Sequence, residues 1–177
     1  MFRNYFLLSV IISFSFCLQI YGINHGLPHH FDHDESLLVE SAMRTGLGDF
    51  SPPHSGWPAS LHKYVLFFIY GIYFIAGKLL GIFSDVNDFS KYFLLEPGTF
   101  YFIARLVSVF SGGLAILVIY LIATKLYNKR VGLLSSLLLS ATFTFINLCQ
   151  SAKQDVTMVL FMLLSFLSLS LILKTGF

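Results

Sequence analysis

Charge is what this 177-residue chain has least of: 11% of its residues are Asp, Glu, Lys or Arg, while 56% are hydrophobic. Soluble domains carry roughly 25% charged residues. A soluble globular domain is excluded on that ground, and an integral membrane protein is expected. The formal net charge is only +2 and the basic residues are scattered, so there is no basic footprint for nucleic acid and none is expected as a partner. Cysteine is scarce too. Cys17 and Cys149 lie inside apolar stretches and in no metal-ligand spacing, so they read as small hydrophobes rather than as a disulfide. No internal repeat or low-complexity linker is present.

What the chain has in abundance is long apolar runs, consistent with a mean hydropathy of +0.77. Residues 5–23, 100–124, 131–149 and 156–173 are each about long enough to cross a ~30 Å hydrocarbon core. Each is apolar on all sides, as lipid-embedded helices are. The first run follows Arg3 and could be a signal peptide, but bulky Ile20 and Tyr21 fit a small-residue cleavage site poorly; it is read as a retained helix. Residues 64–83 are ambiguous, because they carry Lys78, Gly71, Gly77 and Gly81 among interfacial Tyr and Phe. The positive-inside rule places Arg3 and the basic turn Lys125 to Arg130 in the cytoplasm, so an even number of crossings separates them. The runs at 5–23 and 100–124 supply two, which leaves 64–83 as a surface or re-entrant helix. The same parity puts Asp155 outside and Lys174 inside. The expected fold is therefore all-α: a polytopic membrane helical bundle forming a single module, with a polar first external loop, residues 24–99, that contains short juxtamembrane helices.

That loop holds all six histidines and eight of the nine acidic residues. Glu35 to Arg44 reads as a short amphipathic helix with Leu37, Leu38, Ala42 and Met43 on one face, Glu40 and Arg44 as an i,i+4 pair, and Gly46 as its stop. Ser51-Pro-Pro-His-Ser-Gly-Trp-Pro58 cannot be regular helix and is expected as an extended loop. Trp57 and Lys63 fit an interfacial anchor as well as a substrate contact.

The order of these features is informative. A first helix is followed by Asp34-Glu35 opening a short helix that ends near Gly, then a proline-containing stretch and a Tyr/Phe-rich helix. Ala104-Arg105-Leu106 opens the next helix, Tyr120 precedes the basic turn, and Ser151-Ala-Lys-Gln-Asp155 precedes the last helix. This set resembles the start of a GT-C glycosyltransferase, similar to the protein O-mannosyltransferases and the bacterial aminoarabinose transferase of lipid A. The resemblance implies an inverting enzyme that moves a sugar from a polyprenyl-phosphate donor to a hydroxyl of a lipid, glycan or protein acceptor. It implies action on the extracytoplasmic side of a cell membrane, bacterial or archaeal. It matches Asp34 to the catalytic Asp, Glu35 to its partner and Asp155 to the second-loop carboxylate.

The chemistry asks for a base that takes the acceptor proton while the lipid phosphate departs from the other face of the sugar. The departing phosphate needs cationic neutralisation, for which Arg105 and Lys153 are candidates. Structural roles compete with each assignment. Asp32 and Glu35 have capping-box spacing; Asp155 has an N-cap position; Arg105 could reach lipid headgroups. Asp32-His33-Asp34 also resembles an Asp-x-Asp cation element, with His25, His29 and His30 nearby. Histidines in a polar loop are more often solvated than ligated, so no metal or other cofactor is expected, with a divalent cation as the alternative. Enzymes of this class have more membrane helices, so the chain is expected to be the N-terminal part of a longer protein or a truncated gene product. The alternative to an enzyme is a non-catalytic membrane subunit.

Overall fold

The computed structural model describes residues 2–27, 33–51 and 61–175. Eight helices follow one another in these residues, with no strand among them: α1 (Phe2–Tyr21), α2 (His33–Gly46), α3 (Leu61–Leu79), α4 (Val86–Leu95), α5 (Pro97–Leu126), α6 (Lys129–Ala141), α7 (Phe143–Cys149) and α8 (Asp155–Thr175). The all-α class expected from the sequence is what forms. The chain divides into two compact units. One comprises Asn24–Val107 and Ala152–Gln154; the other comprises Met1–Ile23, Ser108–Ser151 and Asp155–Phe177.

The first unit contains most of the polar residues, yet it is built on an apolar and aromatic core. Leu38, Val39 and Ala42 of α2 pack with Leu66 and Tyr70 of α3, Phe89 of α4, and Phe100, Tyr101 and Ala104 of α5. Phe89 contacts both Phe83 and Phe100, and these rings meet those of Tyr73, Phe74, Tyr92 and Phe93 at centroid separations of 5.0–6.5 Å, mostly edge to face, the geometry that ring quadrupoles favour. The Tyr70 hydroxyl donates to the Phe100 carbonyl at 3.0 Å, so a buried polar group is satisfied inside the aromatic layer.

The helix ends in this unit have local causes. α3 stops where Gly81 takes φ +73, with the Ile82 amide bonding back to the Gly77 carbonyl at 2.8 Å and the Gly81 amide to Lys78, a Schellman-type end. The helix therefore ends at Leu79, short of the Phe83 limit read from hydropathy, and the chain turns so that Phe83 enters the core. α4, a stretch of the 24–99 loop for which the sequence delimits no separate helix, is started by side chains: Asp85 accepts from the Asp88 amide at 2.8 Å, and Asp88 accepts from the Ser84 amide and hydroxyl. The Ser84 backbone N–H holds the Asp88 carboxyl below its ordinary range.

The second unit is a bundle of α1, residues 108–126 of α5, α6, α7 and α8 around Ala115, Ile116, Val118, Phe145, Cys149, Val156 and Leu160. Small residues let its helices approach. A Cβ on Gly112 would stand 2.5 Å from Cys149 Sγ, and one on Gly113 would stand 2.5 Å from Phe16, the close packing used where lipid replaces water as solvent. α1, α5 and α8 are long and apolar enough to cross a membrane. The run at 131–149 forms a bent pair instead of one straight helix, with α6 and α7 meeting at 66°. No proline or glycine sits at the break. The Ser140 hydroxyl donates to the Leu137 carbonyl, and that of Thr142 to Leu138; Thr142 itself is extended, with ψ 114. Hydroxyl side chains that capture preceding carbonyls compete with the helical ladder and bend it. Counting the bent pair as one broken span gives up to four crossings.

Candidate functional site

The first turn of α2 carries both acidic residues singled out in the sequence, and the helix turns them in different directions. Starting from Glu35, the positions i+3, i+4 and i+7 are Leu38, Val39 and Ala42, so Glu35 shares the buried stripe of α2. It is 1% exposed. The buried face is thus rotated from the expected one: Leu37 and Met43 are only half-buried, and the Glu40–Arg44 pair lies on the open side with 3.7 Å between its charged atoms.

A buried carboxylate requires partners, and Glu35 has them. Its Oε1 accepts from Arg105 Nε at 3.0 Å and from the Ala152 amide at 2.5 Å; its Oε2 accepts from the Arg105 NH2 nitrogen at 2.7 Å. The guanidinium donates a further bond through NH1 to the His25 carbonyl at 2.8 Å. This one side-chain cluster therefore ties together the stretch just before α2, the first turn of α2, the early part of α5, and the short segment that precedes α8. The planar two-point geometry is specific to arginine.

Asp34 sits one residue away and about 100° around the helix, half-exposed at 46% of its side-chain surface. Lys153 Nζ stands 3.8 Å from its Oδ2. The Lys153 side chain is 22% exposed, so this carboxylate–ammonium pair is open to approach, while the adjacent Glu35 and Ala152 are buried. Four of the five expected residues, Asp34, Glu35, Arg105 and Lys153, are thus gathered in the first unit. Asp155 is the first residue of α8 and belongs to the bundle unit. Asp32, with His29, His30 and Trp57, lies outside the described residues, so its expected capping role lies there too. No group of three or more potential metal ligands occurs among the described residues.

Two participants had no signal in the sequence. A backbone amide such as that of Ala152 carries no residue-type signature, and neither does the His25 carbonyl. His62 and Lys63, at the start of α3, are also buried. Lys63 Nζ donates to the carbonyls of Phe50 and Ser51 at 3.2 and 3.0 Å, tethering the chain beyond α2 to α3. Burial pushes the His62 imidazole pKa down to about 4.

Residues 98–176 match the family described as dolichyl-phosphate-mannose-protein mannosyltransferase. This stretch is related to the GT-C mannosyltransferases. The mannosyltransferase-like stretch is under half of the chain; it includes Arg105, Lys153 and Asp155, and leaves Asp34 and Glu35 outside. The relationship of this stretch agrees with the resemblance seen in the residues themselves, and the three long apolar helices are those expected of a membrane protein. No curated protein and no solved structure matches the chain.

Proposed function

We propose that the protein is, or forms the catalytic-loop part of, an inverting glycosyltransferase that carries a sugar from a polyprenyl-phosphate donor to an acceptor hydroxyl, with Asp34 as general base. The observation that carries this reading is the half-exposed Asp34 carboxylate, 3.8 Å from Lys153 and adjacent in sequence to the buried Glu35–Arg105 bridge. A base must be accessible to the acceptor and held in one place. Exposure of Asp34 meets the first need and the Glu35 cluster meets the second.

In this mechanism Asp34 takes the hydroxyl proton as the acceptor oxygen bonds to the anomeric carbon. The bond from that carbon to the phosphate oxygen breaks on the opposite face, and the lipid phosphate leaves with the electron pair. Lys153 is the cation placed to meet phosphate charge. Arg105 is assigned a positioning role instead, because its guanidinium is turned into Glu35 and the His25 carbonyl. Glu35 is likewise a positioning residue. Asp155 begins α8 two residues beyond Lys153 and is retained as a second carboxylate whose N-terminal placement also suits the helix dipole.

The membrane reading is multi-pass with Asp34 extracytoplasmic. Within the bundle unit, Gly132 at the start of α6 lies against Thr124 near the end of α5, and Cys149 at the end of α7 lies against Gly112. The chain of α6 and α7 thus runs back along α5, which supports the two as one broken span. The basic turn between α5 and α6 then lies at the cytoplasmic end.

The test is sugar transfer from a polyprenyl-phosphate sugar to acceptor, in membranes of cells making the protein in its native reading frame. Asp34→Asn keeps size and most hydrogen bonding but removes the base, and a rate loss of about 10²–10⁴-fold is expected, with insertion unchanged. Asp32→Asn is expected to retain activity, since Asn caps a helix as well as Asp does. An Asp34→Asn protein that kept more than about a tenth of wild-type turnover, far above that range, would remove Asp34 from the mechanism.

A further inference from the structure

We propose that the groove between the last turns of α5 and the second half of α8 is a binding site for an anionic phospholipid, with an acyl chain along its apolar walls and the phosphate at Lys125. The groove has a volume of about 570 Å³ and is half-open; Ile122 and Leu126 of α5 and Leu163, Phe166 and Leu169 of α8 form its sides, with Lys125 in the same lining. That volume falls within the ~300–1,000 Å³ of small-molecule sites. All of these residues belong to the bundle unit.

Two observations select the occupant. The walls are hydrocarbon, yet one lining residue is a half-buried lysine, a combination that suits an amphiphile with a negative head. Charge supplies the second. Between Pro97 and Gln154 the chain has no Asp or Glu, and Asp155 opens the far end of α8; Lys129 and Arg130 follow Lys125 by one turn of chain, with Lys129 Nζ 5.9 Å from the centre of the Tyr5 ring. Among the described residues no carboxylate pairs with Lys125. Lys125 is the charged residue of the lining, and an anionic headgroup entering here meets no carboxylate. Basic pockets between membrane helices hold acidic lipid headgroups for this reason, each basic residue contributing about 1 kcal/mol, or fivefold in affinity. A zwitterionic lipid gains little of that. A covering helix, by contrast, would have to bring its own carboxylate to Lys125.

The test uses the whole protein with Trp57→Phe and a reporter, Phe166→Trp, reconstituted in phosphatidylcholine vesicles. Dibrominated phosphatidylglycerol or dibrominated phosphatidylcholine is added at equal mole fraction and Trp quenching is read. Should Phe166→Trp reduce the helicity measured by circular dichroism, Leu169→Trp takes its place. The expected result is an association about fivefold stronger for the phosphatidylglycerol, which Lys125→Gln reduces to that of phosphatidylcholine without changing quenching by phosphatidylcholine itself. Equal quenching by both lipids in the Lys125 protein would show ordinary bilayer contact and overturn the proposal. Absence of quenching by either would show that protein covers the groove, and would overturn it equally.

Discussion

Glu35 and Arg105, 70 residues apart in the chain, meet in a buried two-point ion pair with contacts of 3.0 and 2.7 Å. Desolvating both charges is costly, and removing one partner leaves the other buried and uncompensated, at about 3–5 kcal/mol. Arg105→Met is therefore expected to lower the thermal midpoint of the detergent-solubilised protein strongly, and Glu35→Gln less so. The double variant should be more stable than the sum of the two losses, a coupling of about 0.5–3 kcal/mol. Strict additivity would show that the two side chains do not depend on each other. Arg105→Lys should rescue only partly, since an ammonium cannot reproduce the fork.

Two glycines offer opposite outcomes for the same substitution. A Cβ at Gly71 meets nothing within 4 Å, so Gly71→Ala is expected to gain up to about 1 kcal/mol of helix propensity. A Cβ at Gly132 would collide with Thr124 Oγ1 and stand 3.0 Å from the Tyr120 carbonyl oxygen, which belongs to backbone and cannot rotate away. Gly132→Ala should cost about 1–3 kcal/mol. Thermal unfolding of both variants checks this; the order Gly132→Ala above Gly71→Ala would contradict the packing of α6 on α5.

His62 makes stability fall with acid. Its folded pKa is about 4, below the ordinary 6.5, because burial disfavours the imidazolium. The unfolded chain therefore binds the proton more readily; the contribution is fully present above pH 6.5 and is lost as pH falls toward 4, by about 3 kcal/mol in total. His62→Gln should flatten the dependence of the thermal midpoint in that window. An unchanged slope would place the titration elsewhere.

Single cysteines at Ser36, Asn128 and Ser151, in a background of Cys17→Ser and Cys149→Ala, test the sidedness proposed above. An impermeant thiol reagent applied to intact cells is expected to label positions 36 and 151 and to spare 128. Labelling at 128 would reverse the orientation and with it the placing of Asp34.

Apolar run length and helix period are local properties, which is why the long helices and much of α2 were legible from composition and spacing. The i,i+3,i+4,i+7 stripe from Glu35 was present in the sequence too, although the helical face was read one position around from where it lies. α4 was missed despite the Ser84, Asp85 and Asp88 capping set, because a ten-residue helix in a polar loop shows little periodicity. The break at Thr142 was hidden for a related reason: an apolar run reports length, while the hydroxyl bonds of Ser140 and Thr142 that bend it carry no hydropathy signal.

The residues themselves determined the all-helical fold and its long apolar helices; they carry the resemblance to GT-C transferases and mark Asp34, Glu35, Arg105 and Lys153 as polar points in an apolar chain. Tertiary structure alone decided how those four divide. It buried Glu35 against Arg105 and the Ala152 amide, and it left Asp34 half-exposed beside Lys153. Adjacent carboxylates on a helix are chemically alike in sequence. They differ only once the helix docks, because docking removes one from water and demands a partner for it, and the partners come from segments 70 and 117 residues away, beyond the reach of any local pattern.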